Sequence, residues 1–146
     1  REKHMRHTII FAVAATLTAL LTACHAASED DSKWTVANYS SGWGPCPTNR
    51  TCFNNWHVDR ESRTIVQTGS AGQASRKLND QEWSQLEKLI PQAKRAATQC
   101  PSPPTDVFDD LEIIYSNQSK FSKSVTGCAY EQGGNPVKAL KEWLAK

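Results

Sequence analysis

From Lys33 onward the chain first alternates and then spirals. In Lys33-Trp34-Thr35-Val36-Ala37-Asn38-Tyr39, Trp34 and Val36 share one face and Tyr39 takes the other, the two-residue period of a strand. Ser40-Ser41-Gly42-Trp43-Gly44-Pro45 concentrates turn formers and predicts a turn. Alternation resumes in Cys52-Phe53-Asn54-Asn55-Trp56-His57-Val58-Asp59-Arg60, with Cys52, Trp56 and Val58 opposite His57 and Asp59. The polar triplet Glu61-Ser62-Arg63 then leads into β-branched Thr64-Ile65-Val66-Gln67-Thr68, which predicts a hairpin. Gly69-Ser70-Ala71-Gly72-Gln73 reads as a loop.

The period then changes to 3.6. Trp83, Leu86, Leu89, Ile90 and Ala93 fall on one helical face, and Asn79 with Glu82 three residues later has the spacing of a capping box. Pro91 predicts a kink or an end there, with 92–99 as a second short segment, and Cys100-Pro101-Ser102-Pro103-Pro104 forbids continuation. Leu111-Glu112-Ile113-Ile114-Tyr115 alternates with Leu111, Ile113 and Tyr115 inward, and 120–128 reads as its antiparallel partner. After Gly133-Gly134, Asn135-Pro136 supplies an N-cap and a first-turn proline. Val137, Leu140, Trp143 and Leu144 then line one stripe of a terminal helix. The expected order is β-β-β-α-β-β-α: a small antiparallel α+β domain with two helices on one face of the sheet.

The first thirty residues follow a different pattern. A basic start, Arg1 to His7, precedes thirteen uncharged residues, Ile9 to Leu21, too few for the roughly 20 that span a bilayer. That is the shape of an export signal, with Met5 as its natural start and residues 1–4 as upstream carry-over. The run ends Leu21-Thr22-Ala23-Cys24. These four residues resemble the lipobox of bacterial prolipoproteins. The resemblance covers the signal junction only. It implies cleavage after Ala23, a diacylglycerol on the Cys24 Sγ and acylation of the new amine, and two or more chains anchor stably where one does not. His25 rather than Asp after the lipidated cysteine favours the outer membrane within that family. Residues 24–33, small and acidic, read as a tether of about 15 Å, and 34–146 as one domain.

Composition changes the picture in one respect. Once Arg1, Lys3 and Arg6 leave the 17 basic residues and Glu2 leaves the 15 acidic ones, 14 of each remain. A neutral chain without a basic run lacks the footprint of a nucleic-acid binder.

Four cysteines remain in the exported part: Cys46, Cys52, Cys100 and Cys128. An even number in an oxidising compartment implies disulfides. Four cysteines admit three pairings and spacing alone does not choose among them. Cys46–Cys52 with Cys100–Cys128 is favoured, since the first closes a loop stiffened by Pro45 and Pro47 and the second ties a helix end to a strand end. Loop entropy assigns about 2.4 and about 3.6 kcal/mol to the two. A Cys-x₅-Cys spacing is wrong for a thioredoxin-like site, and one histidine is too few for a zinc site.

Candidate chemistry is sparse. His57 is the single histidine of the domain and shares a face with Asp59, but no Gly-x-Ser-x-Gly elbow presents a nucleophile. Asp106, Asp109, Asp110 and Glu112 gather carboxylates without the spacing of a calcium loop and read as a capped turn before a strand. Trp34, Trp56, Trp83 and Trp143 fall on buried stripes. Trp43, between glycines at the tip of the stapled loop, is either an exposed anchor or a cover folded back over the sheet. Trp43 and Arg50 are the candidate binding residues. No metal or cofactor is implied.

The expectation is a lipid-anchored envelope protein whose domain presents the 40–51 loop to a protein or an envelope polymer. An inhibitor or immunity protein is one form of it. An envelope hydrolase using His57 and a structural accessory of envelope assembly are the alternatives.

Overall fold

The strand nearest the N-terminus becomes the axis of the sheet. In the computed structural model, which describes residues 33–47, 50, 52–69, 71–101 and 106–146, β1 (Trp34–Trp43) pairs antiparallel with β2 (Phe53–Asp59) on one side. On its other side it pairs with β5 (Val107–Tyr115). With β3 (Thr64–Gly69), β4 (Gly72–Lys77) and β6 (Lys120–Ser124), the sheet has six strands in the order β4-β3-β2-β1-β5-β6, every neighbour antiparallel. The helices α1 (Asp80–Ala97), α2 (Thr126–Ala129) and α3 (Pro136–Leu144) cover one face. This is the expected α+β class, with both disulfides paired as favoured, Cys46–Cys52 and Cys100–Cys128. The signal, Cys24 and nearly all of the tether lie outside the described residues, which all belong to the compact unit 31–146. Among the described residues no helix is long and apolar enough to cross a membrane.

Several details differ from the sequence pattern. The turn expected at 40–45 is strand as far as Trp43, because β1 is central. Its backbone groups up to 43 have ladder partners in β2 and β5, and a turn there would orphan them. A register shift between Trp34 and Val36 moves Val36 to the far face and places Trp34, Ala37 and Tyr39 together under the helices. The loop expected at 69–73 holds the start of β4, a polar edge strand held by backbone pairing to β3. It carries no apolar alternation to announce it.

Pro91 does not end α1, which runs unbroken for 18 residues. An internal proline costs about 3 kcal/mol, but Ile90, Ala93 and Ala97 continue the buried stripe. Burying Ile90 alone returns about 1.5–3 kcal/mol. The strand expected over 120–128 stops at Ser124, and the chain turns into α2. There the Asp109 N–H donates to Thr126 Oγ1 (2.8 Å) and the Val125 N–H to the Asp109 carbonyl (2.7 Å). Cys100–Cys128 therefore joins the residues after α1 to α2 rather than to a strand end.

The core lies between the sheet and the helices. Trp34 and Trp83 pack at 5.6 Å between centroids, with the Arg60 guanidinium over the Trp34 ring and paired to Glu87. Asn79 and Glu82 form the expected capping box, and Asn135 caps α3 with Pro136 in its first turn. All four stripe tryptophans, 34, 56, 83 and 143, are buried.

Candidate functional site

Among the described residues, helices cover one face of the sheet and no element covers the other, and alternation decides which side chains stand on it. Asp109, Leu111 and Ile113 of β5 point into the core, so Phe108, Asp110 and Glu112 point away. In β2 the buried Trp56 and Val58 leave Phe53, Asn55 and His57 outward. In β1 the same parity turns half-buried Asn38 and Ser40 to this face, with Gly42 buried in line with them. The result is an open trough of about 650 Å³ lined chiefly by polar side chains from β1, β2, β3, β5 and β6.

Register arranges these residues in cross-strand rows. One row runs Val66–His57–Asn38–Glu112–Ser122. It is internally bonded: the His57 Nδ1 and Asn38 Oδ1 lie 2.8 Å apart, and Asn38 Nδ2 donates to Glu112 Oε1 at 3.0 Å. Lys120 closes the chain on Glu112 Oε2 at 2.5 Å. The Lys120 ammonium, and after it the Asn38 amide, hold the Glu112 carboxyl below its usual range.

The next row runs Thr68–Asn55–Ser40–Asp110–Ser124. Among the described residues, the side chains of Thr68, Asn55, Ser40 and Asp110 make no hydrogen bond. The third row is Phe53–Gly42–Phe108. Its two phenylalanines are 44 % and 40 % exposed, and the Phe108 ring lies so close over Gly42 that a Cβ there would meet its Cζ at 2.4 Å. Glycine is needed in this strand for that close approach.

His57 and Asp59 share this side of β2, as the alternation predicts, but no hydrogen bond joins them. The carboxylate of Asp59 accepts from the Ser62 N–H (2.7 Å) and Oγ (2.6 Å), caps the β2–β3 turn and is lowered chiefly by those bonds. The expected acidic cluster is divided by strand parity. Asp110 and Glu112 face the trough, Asp106 precedes β5, and Asp109 is fully buried on the opposite side. It is therefore not a capped turn but mostly strand. There Asp109 Oδ1 accepts from the Tyr39 hydroxyl at 2.9 Å, and Lys141 reaches Oδ1 at 3.0 Å and Oδ2 at 3.2 Å. No group of three or more potential metal ligands forms among the described residues.

Trp43 is the last residue of β1 rather than the tip of a loop. It is 42 % exposed on the helix side of the sheet's end, its N–H bonded to the Cys52 carbonyl at 2.9 Å. Arg50 is exposed beside the Cys46–Cys52 bridge, with its N–H on the Pro47 carbonyl at 3.1 Å. The structure thus places Trp43 and Arg50 near one end of the trough, outside its lining. Asn55, Ser40, Phe53 and Phe108 join Asp110 in the site; of these only Asp110 was singled out from the sequence, as one of the acidic cluster. The available signal was the polar parity of β1 and β5, which shows a wet face only once both strands are known to be central.

Fold and face together define a small disulfide-braced antiparallel α+β domain with one bare, polar, aromatic-edged sheet surface. The chain matches no protein-family model and none of the curated proteins.

Proposed function

We propose that this chain is a lipid-anchored binding module of a bacterial envelope, exported by residues 1–23, held through a lipid on Cys24, and active through the open face of its sheet. The observation that carries the binding reading is the row Thr68–Asn55–Ser40–Asp110, polar side chains without hydrogen-bond partners among the described residues, beside exposed Phe53 and Phe108. Antiparallel sheets commonly leave one face to water. A merely solvated face has no use for two large aromatic side chains beside unsatisfied polar groups in a trough of ligand size.

Two measurements test this. Mass spectrometry of the protein from its native host should find Cys24 as the N-terminal, acylated residue, and Cys24→Ala should release it from the membrane. Full leader retention with no lipid overturns the anchor. Retention of envelope material by the immobilised chain should fall when Asn55→Ala, Asp110→Ala and Phe108→Ala are combined. Unchanged retention by that folded variant overturns the site.

A further inference from the structure

We infer that the occupant of the open face is a neutral, hydroxyl-rich chain of the glycan type, lying along the row Thr68–Asn55–Ser40–Asp110–Ser124 with its ring faces against Phe53 and Phe108. This rests on the binding-module reading and names its ligand class.

Charge makes the first selection. Among the described residues, that row itself carries no Lys or Arg side chain. Lys120 is engaged with Glu112, and Lys123 reaches the Thr98 carbonyl on the helix side at 2.7 Å. The row's one carboxylate, Asp110, has no ion-pair partner among the described residues. A polyanion would meet repulsion there and no unpaired cation within the row, whereas hydroxyl groups donate to a carboxylate without bringing a charge.

Hydrogen-bond capacity makes the second. Asn55 offers two N–H donors and a carbonyl acceptor, Ser40 and Thr68 each donate and accept, and Asp110 accepts only. That mixture complements groups that both donate and accept at short intervals, as sugar hydroxyls do. An extended peptide presents its donors and acceptors to a strand edge, and here the free groups cross the middle of the sheet. In the neighbouring row His57, Asn38 and Glu112 are already bonded, with Lys120 reaching Glu112 from further along β6, and they fix the floor instead of competing for the ligand.

Shape makes the third. Thr68 to Ser124 crosses five strands, about 19 Å at strand spacing, enough for several sugar units. The aromatic row lies one pleat repeat away, where the C–H face of a ring held by the polar row would rest. Aromatic side chains supply large contact area there at low entropic cost.

The test uses the full chain with its disulfides oxidised, titrated by calorimetry and by amide NMR shifts against cellohexaose, chitohexaose and maltohexaose. Polyphosphate and a neutral Gly-Ser-Ala peptide serve as comparison ligands. At least one oligosaccharide should bind, shifting Asn55 and Asp110. Phe108→Ala should weaken it about tenfold, Asp110→Ala between about tenfold and a hundredfold, and Lys77→Ala not at all. The thermal midpoint of each variant checks that it is folded. No binding of any of the three sugars at millimolar concentration overturns the ligand class. If the same face still retains envelope material, the binding-module reading survives that result; if it does not, both fall. Polyphosphate or peptide binding lost in Asp110→Ala and Phe108→Ala overturns the glycan assignment in favour of that class, and sugar binding indifferent to both variants overturns the location.

Discussion

Replacing Lys141 by Met should cost this domain about 3 kcal/mol or more. Lys141 lies on α3 and reaches across to Asp109 on β5, whose side chain has no exposure to solvent. The carboxylate has two side-chain partners, the Lys141 ammonium at 3.0 Å and the Tyr39 hydroxyl at 2.9 Å. Breaking a buried ion pair by removing one member costs about 3–5 kcal/mol, because the remaining charge stays desolvated and unpaired. The Tyr39 bond persists and the Lys141 side chain retains 21 % exposure, so the lower end of that range applies. Methionine keeps the aliphatic bulk over Tyr130, which isolates the charge. Urea denaturation followed by circular dichroism at neutral pH reads the difference directly. The thermal midpoint should fall by about 12 °C at roughly 4 °C per kcal/mol. The double variant Asp109→Leu with Lys141→Met should recover most of the loss, since an apolar pair leaves no buried charge. A single-variant cost below about 1 kcal/mol would refute the claim that buried Asp109 depends on Lys141.

Burial first, and then the Asp109 charge and hydrogen bond, push the Tyr39 phenol well above its ordinary value. Its contribution to stability is complete below about pH 10, the unfolded value. It is lost as pH rises beyond that, so Tyr39→Phe should remove a phenolate absorbance step that coincides with alkaline unfolding; a step preceding unfolding would contradict this. Glu112 and Asp59 are held below their ordinary values, Glu112 mainly by Lys120 and Asp59 mainly by Ser62. Their contribution is present above the unfolded carboxylate values, about 4, and disappears as pH falls through the folded ones. Glu112→Gln should accordingly flatten the acid limb of the midpoint-against-pH curve, and an unchanged limb would show that the Lys120 pair contributes nothing. Replacing both Cys100 and Cys128 by Ala should destabilise by about 3.6 kcal/mol and replacing both Cys46 and Cys52 by about 2.4, following loop length; equilibrium denaturation giving the reverse order would sink the entropic account. Gly42→Ala should displace the Phe108 ring, whose Cζ would stand 2.4 Å from the new Cβ. It should cost about 1 kcal/mol, and an unmoved Phe108 ring resonance in NMR would contradict it.

The elements that could be read from the chain are those whose signal is local. The capping box at Asn79 and Glu82, the Asn135-Pro136 helix start and the two apolar helical stripes depend on residues within two turns of one another. The β2–β3 hairpin and the inward parity of Leu111 and Ile113 are of the same kind. Local signals also limited the reading. Ser40-Ser41-Gly42 has turn composition and lies in the central strand, and Pro91 is a helix breaker inside an unbroken helix. In both places the decision was made by residues far along the chain, through ladder bonds to β5 and through burial of Ile90, Ala93 and Ala97. β4 has no pattern of its own and exists because β3 offers an edge.

The same division holds for the candidate site. Sequence alone determined the α+β class and the four buried tryptophans, because apolar period acts along a single chain, and it favoured, without deciding, the disulfide pairing the structure has. It also supplied the lipobox resemblance at Cys24. Only the tertiary structure decided that Asn55, Ser40 and Asp110, from three strands and up to 70 positions apart, form one row, and that Phe108 closes over Gly42, whose other neighbour in the row is Phe53. Strand order and register set which side chains become neighbours, and those follow from packing of the whole domain rather than from the composition of any one segment.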